Sequence, residues 1–166
     1  MHARYGNPAP IEITNRLLTE QADMQNTDRI VYFDLLSLLA SKAKKHGEHI
    51  RVGGSVGSSF TAYLLGATEI NPLKPHYYCP NCRWSQFFKS SDVGSGFDLP
   101  EKNCPECGTP LNRDGHDIPF ETFLGFKGDK VPDIDLNFSD EYQSEVQKYT
   151  ETLFGKENVF KAGTIS

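Results

Sequence analysis

Pro132-Asp133-Ile134-Asp135-Leu136-Asn137-Phe138 alternates polar with apolar side chains, the two-residue period of a strand buried on one face. Residues i and i+2 of a strand point the same way, so Asp133 and Asp135 stand side by side, about 7 Å apart along the backbone. Two carboxylates placed like this either repel each other or share divalent metal. Magnesium takes hard oxygen ligands and keeps positions for substrate phosphates, and paired ions clamp both oxygens of an in-line phosphoryl displacement. The plain alternative is an exposed edge strand with solvated acids, and Ile134 and Leu136 on the opposite face fit a half-buried strand either way.

Upstream lies Gly53-Gly54-Ser55-Val56-Gly57-Ser58-Ser59, between a short strand predicted over 49–52 and an apolar helix predicted over 60–65. Glycines let backbone approach a bulky anion, Ser55, Ser58 and Ser59 add hydroxyl donors, and the following helix N-terminus is expected to offer free amides. No Gly-Lys-Ser/Thr follows, so this is not a Walker A loop. Alone, a strand–glycine turn–helix junction is as readily structural.

Cys79-Pro80-Asn81-Cys82 and Cys104-Pro105-Glu106-Cys107 are two Cys-x-x-Cys turns 21 residues apart. Four thiolates from two such knuckles complete a tetrahedral structural zinc site. Two disulfides are the competing reading, without a sign of secretion to favour it, and a redox pair would not call for duplicated turns. Trp84, Phe87, Phe88 and Phe97 lie between the knuckles and read as the small core around the metal, with base stacking as the alternative.

A chain of 166 residues suggests one domain with an inserted subdomain. No apolar run approaches membrane-spanning length and no leader-like N-terminus stands out, so a cytoplasmic protein without a membrane partner is expected. A net charge of −5 argues against a general electrostatic grip on nucleic acid. It leaves room for a local one at Lys42, Lys44, Lys45, His46, His49 and Arg51, which read equally as a solvated helix end. Helices are predicted over 10–24, over 30–43 (buried on nearly every side, with Asn26 or Thr27 as cap) and over 140–154 between Ser139 and Gly155. Strand pattern returns around 120–138 and again at Val159-Phe160. The expected organisation is 1–70 with the Gly-Ser loop, 71–119 as the cysteine-bearing insertion, and 120–166 with the Asp-x-Asp strand.

A glycine-serine turn after a strand, followed later by an Asp-x-Asp strand, resembles the layout of nucleotidyltransferase palms related to DNA polymerase beta. Tyr5-Gly6-Asn7-Pro8, Gly54 through Phe60, Glu69 through Leu73, Pro75-His76-Tyr77, the paired cysteine turns and Ile118 through Ser139 together resemble the PolC-type family C bacterial replicative DNA polymerases. The resemblance spans nearly the whole chain and is densest over Phe120 to Ser139. It implies an α+β fold: part of a polymerase palm, carrying a small four-cysteine zinc-ribbon insertion. By that resemblance Asp133 and Asp135 are catalytic magnesium ligands, and Gly54, Ser55, Gly57, Ser58 and Ser59 lie along the triphosphate. The structural zinc falls to Cys79, Cys82, Cys104 and Cys107. The implied partners are primer–template DNA, dNTP and the remaining polymerase domains or replisome subunits.

The chain departs from the family at Val52-Gly53, where a Ser-Arg pair is usual, and Arg51 is the nearest replacement cation. The family's third carboxylate falls downstream of Ile165, so little activity is expected of these residues alone. Lys127 and Lys130 read equally as phosphate ligands or as residues flanking a turn. A zinc-ribbon module that binds nucleic acid or a replication partner without chemistry is the alternative function.

Overall fold

Pro10 precedes the first long helix, and proline suits a helix start because the N–H it lacks would go unpaired there anyway. The computed structural model describes residues 1–27, 29–48, 50–89, 91–132 and 134–163. A single turn, α1 (His2–Tyr5), leads to α2 (Ile11–Asn26) and α3 (Ile30–Lys45). α3 buries Phe33, Leu36, Leu39 and Ala43, whereas Ile30, Val31 and Leu38 stay 50%, 52% and 46% exposed. The expectation of a helix buried on nearly every side is thereby corrected, because core packs against one face only. Neither expected cap serves α3: Asn26 ends α2, the Thr27 hydroxyl donates to the Asp23 carbonyl at 2.7 Å, and the residue before α3 is Arg29.

β1 (Arg51–Gly54) pairs antiparallel with β5 (Ile134–Asn137), residues far apart in sequence. Val52, Ile134 and Leu136 pack on a core of Met24, Phe33, Leu36, Val56, Phe120, Phe123 and Leu124. Within it Phe123, fully buried, meets Phe33 edge-on at 5.6 Å between ring centroids. The strand expected around 120–138 occupies only its last part; Glu121–Leu124 forms a helical turn, α5, before the chain loops to β5. α4 (Phe60–Leu64) follows a 3-10 turn at Ser55–Ser58. α6 (Asp140–Phe154) runs between Ser139 and Gly155 as read from the sequence, but Ser139 does not cap it with its side chain: the hydroxyl donates to Glu48 at 2.9 Å instead. No strand forms at Val159-Phe160 among the described residues; a 3-10 turn at Lys156–Asn158 leads into irregular chain.

A separate antiparallel sheet of order β3-β2-β4 joins β2 (His76–Tyr78), β3 (Ser85–Phe87) and β4 (Asn112–Asp114). Its core holds Tyr77, Cys79, Leu99, Cys104 and Leu111, with Trp84 and Phe88 packed against it. Phe87 instead stacks on His76 at 4.6 Å. Phe97 departs from the expected core and stands 69% exposed: Gly96 lies tight against the Asp114 backbone, its amide on the Gly115 carbonyl just past β4 at 2.7 Å, and the next side chain turns outward.

A buried polar network ties this sheet to the rest. The Tyr5 hydroxyl lies 2.9 Å from His76 Nε2, and Asn71 Nδ2 donates to Tyr5 at 3.2 Å and to Asp114 Oδ2 at 2.8 Å. Tyr63 also donates to Asp114, at 3.1 Å. No described helix is long and apolar enough to cross a membrane.

Candidate functional site

The β1–β5 register places Gly53 directly across from Asp135 and Arg51 across from Asn137. One face of this ribbon is the apolar one turned to the core. The other carries Asp135, Asn137 and Arg51, all exposed. A Cβ on Gly53 would lie 3.4 Å from Asp135 Cβ and 3.7 Å from Oδ2, so the bare glycine leaves open space beside the carboxylate. Asp133 lies outside the described residues.

Gly54 has φ 73° and ψ −157°, a backbone region that glycine alone visits readily, and there the strand bends into the Ser55–Ser58 turn. Gly54 is exposed and Ser55 half-buried, whereas Gly57, Ser58 and Ser59 are buried. The Ser58 hydroxyl donates to the Ser55 carbonyl at 2.7 Å.

The helix amides expected to be free are occupied. Glu20, wholly buried on α2, accepts from the Phe60 amide at 2.8 Å, the Thr61 amide at 2.9 Å, the Thr61 hydroxyl at 2.8 Å and the Ser59 hydroxyl at 2.9 Å. Arg16 Nε closes the arrangement at 2.6 Å from Glu20. The same guanidinium donates to the Ser58 carbonyl at 2.5 Å and the Ile118 carbonyl at 2.9 Å. A helix start attracts anions because its amides are unpaired and its dipole is positive; here the protein's own carboxylate takes that place and locks the turn to α2. Sequence reasoning missed this pair. A signal was present: Ile13, Leu17, Glu20 and Met24 share one helix face, so an acid interrupts an apolar stripe, four residues after an arginine.

The four cysteine sulfurs lie within 4.8 Å of one another. Cys79 and Cys107 are 3.5 Å apart, as are Cys82 and Cys104. A disulfide requires about 2.05 Å, whereas Zn–S bonds of about 2.3 Å separate the sulfurs of a tetrahedron by about 3.8 Å. The donor set thus fits one tetrahedral, thiophilic ion and excludes disulfides among these cysteines as they stand. The Thr109 hydroxyl and amide pull the Cys107 thiol down to about 6. At Cys82 the Trp84 amide acts in the same direction, but burial and the neighbouring sulfurs outweigh it and raise the thiol to about 12.

Part of the basic cluster is engaged within the fold, while Lys44, Lys45 and Arg51 are exposed. Lys42, Lys44 and Lys45 occupy the last turn of α3, Lys42 Nζ sits 4.2 Å from the Tyr149 ring centroid, and His46 Nδ1 lies 3.0 Å from the Tyr142 hydroxyl. His49 is outside the described residues. Lys130 Nζ donates to the Thr122 carbonyl at 2.6 Å and so belongs to its turn.

A sequence model of the family described as the bacterial DNA polymerase III alpha NTPase domain matches residues 1–166. The chain is 51% identical over 164 residues to a Lacticaseibacillus paracasei protein named DNA polymerase III PolC-type, covering 99% of this chain and 11% of that protein. Proteins of the same name from Latilactobacillus sakei (54% over 164 residues, 99% of this chain) and Bacillus subtilis (53% over 161 residues, 97%) are also matched over 11% of their length. The chain thus spans about a ninth of the length of these relatives. With its cysteine knuckles and its Gly-Ser turn joined to the Asp135 strand, the chain belongs to the bacterial DNA polymerase III alpha NTPase domain family.

Proposed function

We propose that this chain forms part of the palm of a replicative DNA polymerase and contributes the nucleotide-binding half of its site. One observation supports the reading: the β1–β5 pairing sets Gly53, where the Gly-Ser turn begins, directly across from Asp135, with Arg51 and Asn137 exposed on the same face. On this reading Asp133 and Asp135 hold magnesium, which when bound would neutralise phosphate charge and draw a primer hydroxyl and dNTP phosphates into line. Gly53 leaves room for a phosphate beside Asp135. Gly54 and the Ser55 region form the lip facing that phosphate, while Gly57, Ser58 and Ser59, buried and tied to Glu20 and Arg16, act from beneath by holding the lip in shape. Arg51, on the same face, supplies a cation near the phosphates. Further residues of a polymerase complete the carboxylate set, so the activity belongs to the larger assembly, working in the cytoplasm on primer–template DNA with other replisome subunits.

The cysteine cluster holds structural zinc. Zinc without an open coordination position supplies folding energy rather than chemistry, which suits its place away from the β1–β5 ribbon.

Calorimetric titration of Mg²⁺·dNTP into the zinc-loaded chain, beside Asp135→Ala and Asp133→Ala, tests the reading. Binding lost in both variants supports it. Binding that persists in both, in folded protein, overturns the assignment of the carboxylates.

A further inference from the structure

We propose that the tip of the loop between α5 and β5 is a contact for single-stranded nucleic acid: Phe126 stacks on a base and Lys127 pairs with a neighbouring phosphate. The inference rests on the palm reading only for the nearness of the strand to be bound.

Phe126 is 93% exposed, the most exposed of the large apolar side chains described, and Lys127 beside it is exposed too. The loop that presents them is closed rather than loose. The Lys130 amide returns to the Leu124 carbonyl at 3.0 Å, the Gly128 amide to the Gly125 carbonyl at 3.3 Å, and Lys130 Nζ to the Thr122 carbonyl at 2.6 Å. Arg29, from the start of α3, donates to the Lys130 carbonyl and moors the far side. Gly125 turns the chain with φ 79°, and Asp129 folds back over it, with Oδ1 2.8 Å from where a Cβ would stand. The acid is thereby drawn to the base of the loop, and Lys130 is spent on its closure. What remains at the tip is one aromatic ring and one cation.

Such a pair matches a nucleotide chemically. A base offers a π-face to an aromatic ring whatever its sequence, and its phosphate takes an ammonium group. Position adds to the argument. The stem, α5, packs against the Ser55–Ser58 turn, and the loop runs through Val131 and Pro132 into β5. The loop thus enters β5 at Ile134, the residue before Asp135. A paired duplex hides its base faces, so the fitting partner is an unpaired stretch, as a template strand presents. A second protein surface would use the ring without needing the lysine.

The test measures fluorescence anisotropy of a labelled oligothymidylate with the zinc-loaded chain, at several salt concentrations. Phe126→Ala is expected to weaken binding by roughly five- to a hundredfold, the range for loss of one base–aromatic stack, and Phe126→Trp to retain it. Lys127→Gln is expected to lower the slope of log affinity against log salt by about 0.7, one phosphate contact on a single strand. Circular dichroism checks that each variant is folded. Equal binding by Phe126→Ala and the parent overturns the proposal, as does a folded parent that fails to bind the oligonucleotide at low salt. The palm reading is scored separately by nucleotide binding. Phe126-dependent DNA binding with no Asp135-dependent dNTP binding sinks the site and keeps the tip; the reverse sinks the tip alone.

Discussion

Glu20 shows how a single side chain redirects the chemistry of a loop. Its carboxylate accepts the Phe60 and Thr61 amides and sits against Arg16 with no exposure. An acid is tolerated there because every lone pair finds a donor, and removing one member of a buried charge pair leaves the other uncompensated. Glu20→Ala is expected to lower stability by about 3–5 kcal/mol, read as a shifted midpoint in urea unfolding. A loss below about 1 kcal/mol would show that water replaces the carboxylate at little cost. Asp135 is the opposite case. It is exposed, so Asp135→Ala is expected to leave the unfolding midpoint within about 0.5 kcal/mol of the parent while removing Mg²⁺·dNTP binding.

At the level of elements, the β1–β5 ribbon and the turn after it do the positioning. Alternation sends Val52, Ile134 and Leu136 into the core and leaves Asp135 and Asn137 outward, and a one-residue slip would reverse both sets. The turn depends on Gly54, whose backbone angles of 73° and −157° cost other residues about 1–3 kcal/mol. Gly54→Ala should therefore destabilise by that amount and weaken nucleotide binding beyond its effect on stability. Gly53→Ala should cost under about 1 kcal/mol, since its Cβ would meet Asp135 at an ordinary 3.4 Å. Thermal melts of the two variants decide this, and equal losses would mean that the turn is not what Gly54 secures.

Across the whole molecule, the core beneath the β1–β5 ribbon and that of the cysteine-bearing sheet are joined by a third apolar cluster of Tyr5, Ile13, Phe60 and Leu73 and by the polar contacts around His76. The cysteine-bearing sheet has its own small core, and its four cysteines could hold a metal ion. Chelating the metal is expected to speed amide exchange in β2, β3 and β4 at least tenfold while α3 and α5 keep their protection. Unchanged exchange in the sheet would show that the metal is dispensable to it. The join is expected to respond to pH. Burial holds His76 below its ordinary 6.5, against the opposing pull of its hydrogen bond to the Lys74 carbonyl. The unfolded chain takes up a proton that the folded chain does not, so this group's contribution is complete above pH 6.5 and is lost as pH falls below it. Urea midpoints at pH 7.5 and pH 5.5 should differ in that direction, and His76→Phe should flatten the dependence. The same slope in that variant would assign it to other groups.

Much of this was written locally. Cys-x-x-Cys spacing carries its ligand chemistry in four residues, and the structure gathers all four sulfurs. Alternation named the half-buried strand at Ile134–Asn137, and Ser139 and Gly155 bracketed α6 closely, because periodicity and caps are properties of neighbouring residues. Tertiary structure alone decided which strand Asp135 would face, that Glu20 would take the amides at the start of α4, that α3 would bury one side and that Phe97 would point outward. Each of these depends on partners tens of residues away, and apolar composition records that a side chain can be buried, not which neighbour arrives to bury it. The chain's own residue types set the chemistry on offer; only long-range packing settled which amides and carboxylates were spent inside the fold and which were left facing out.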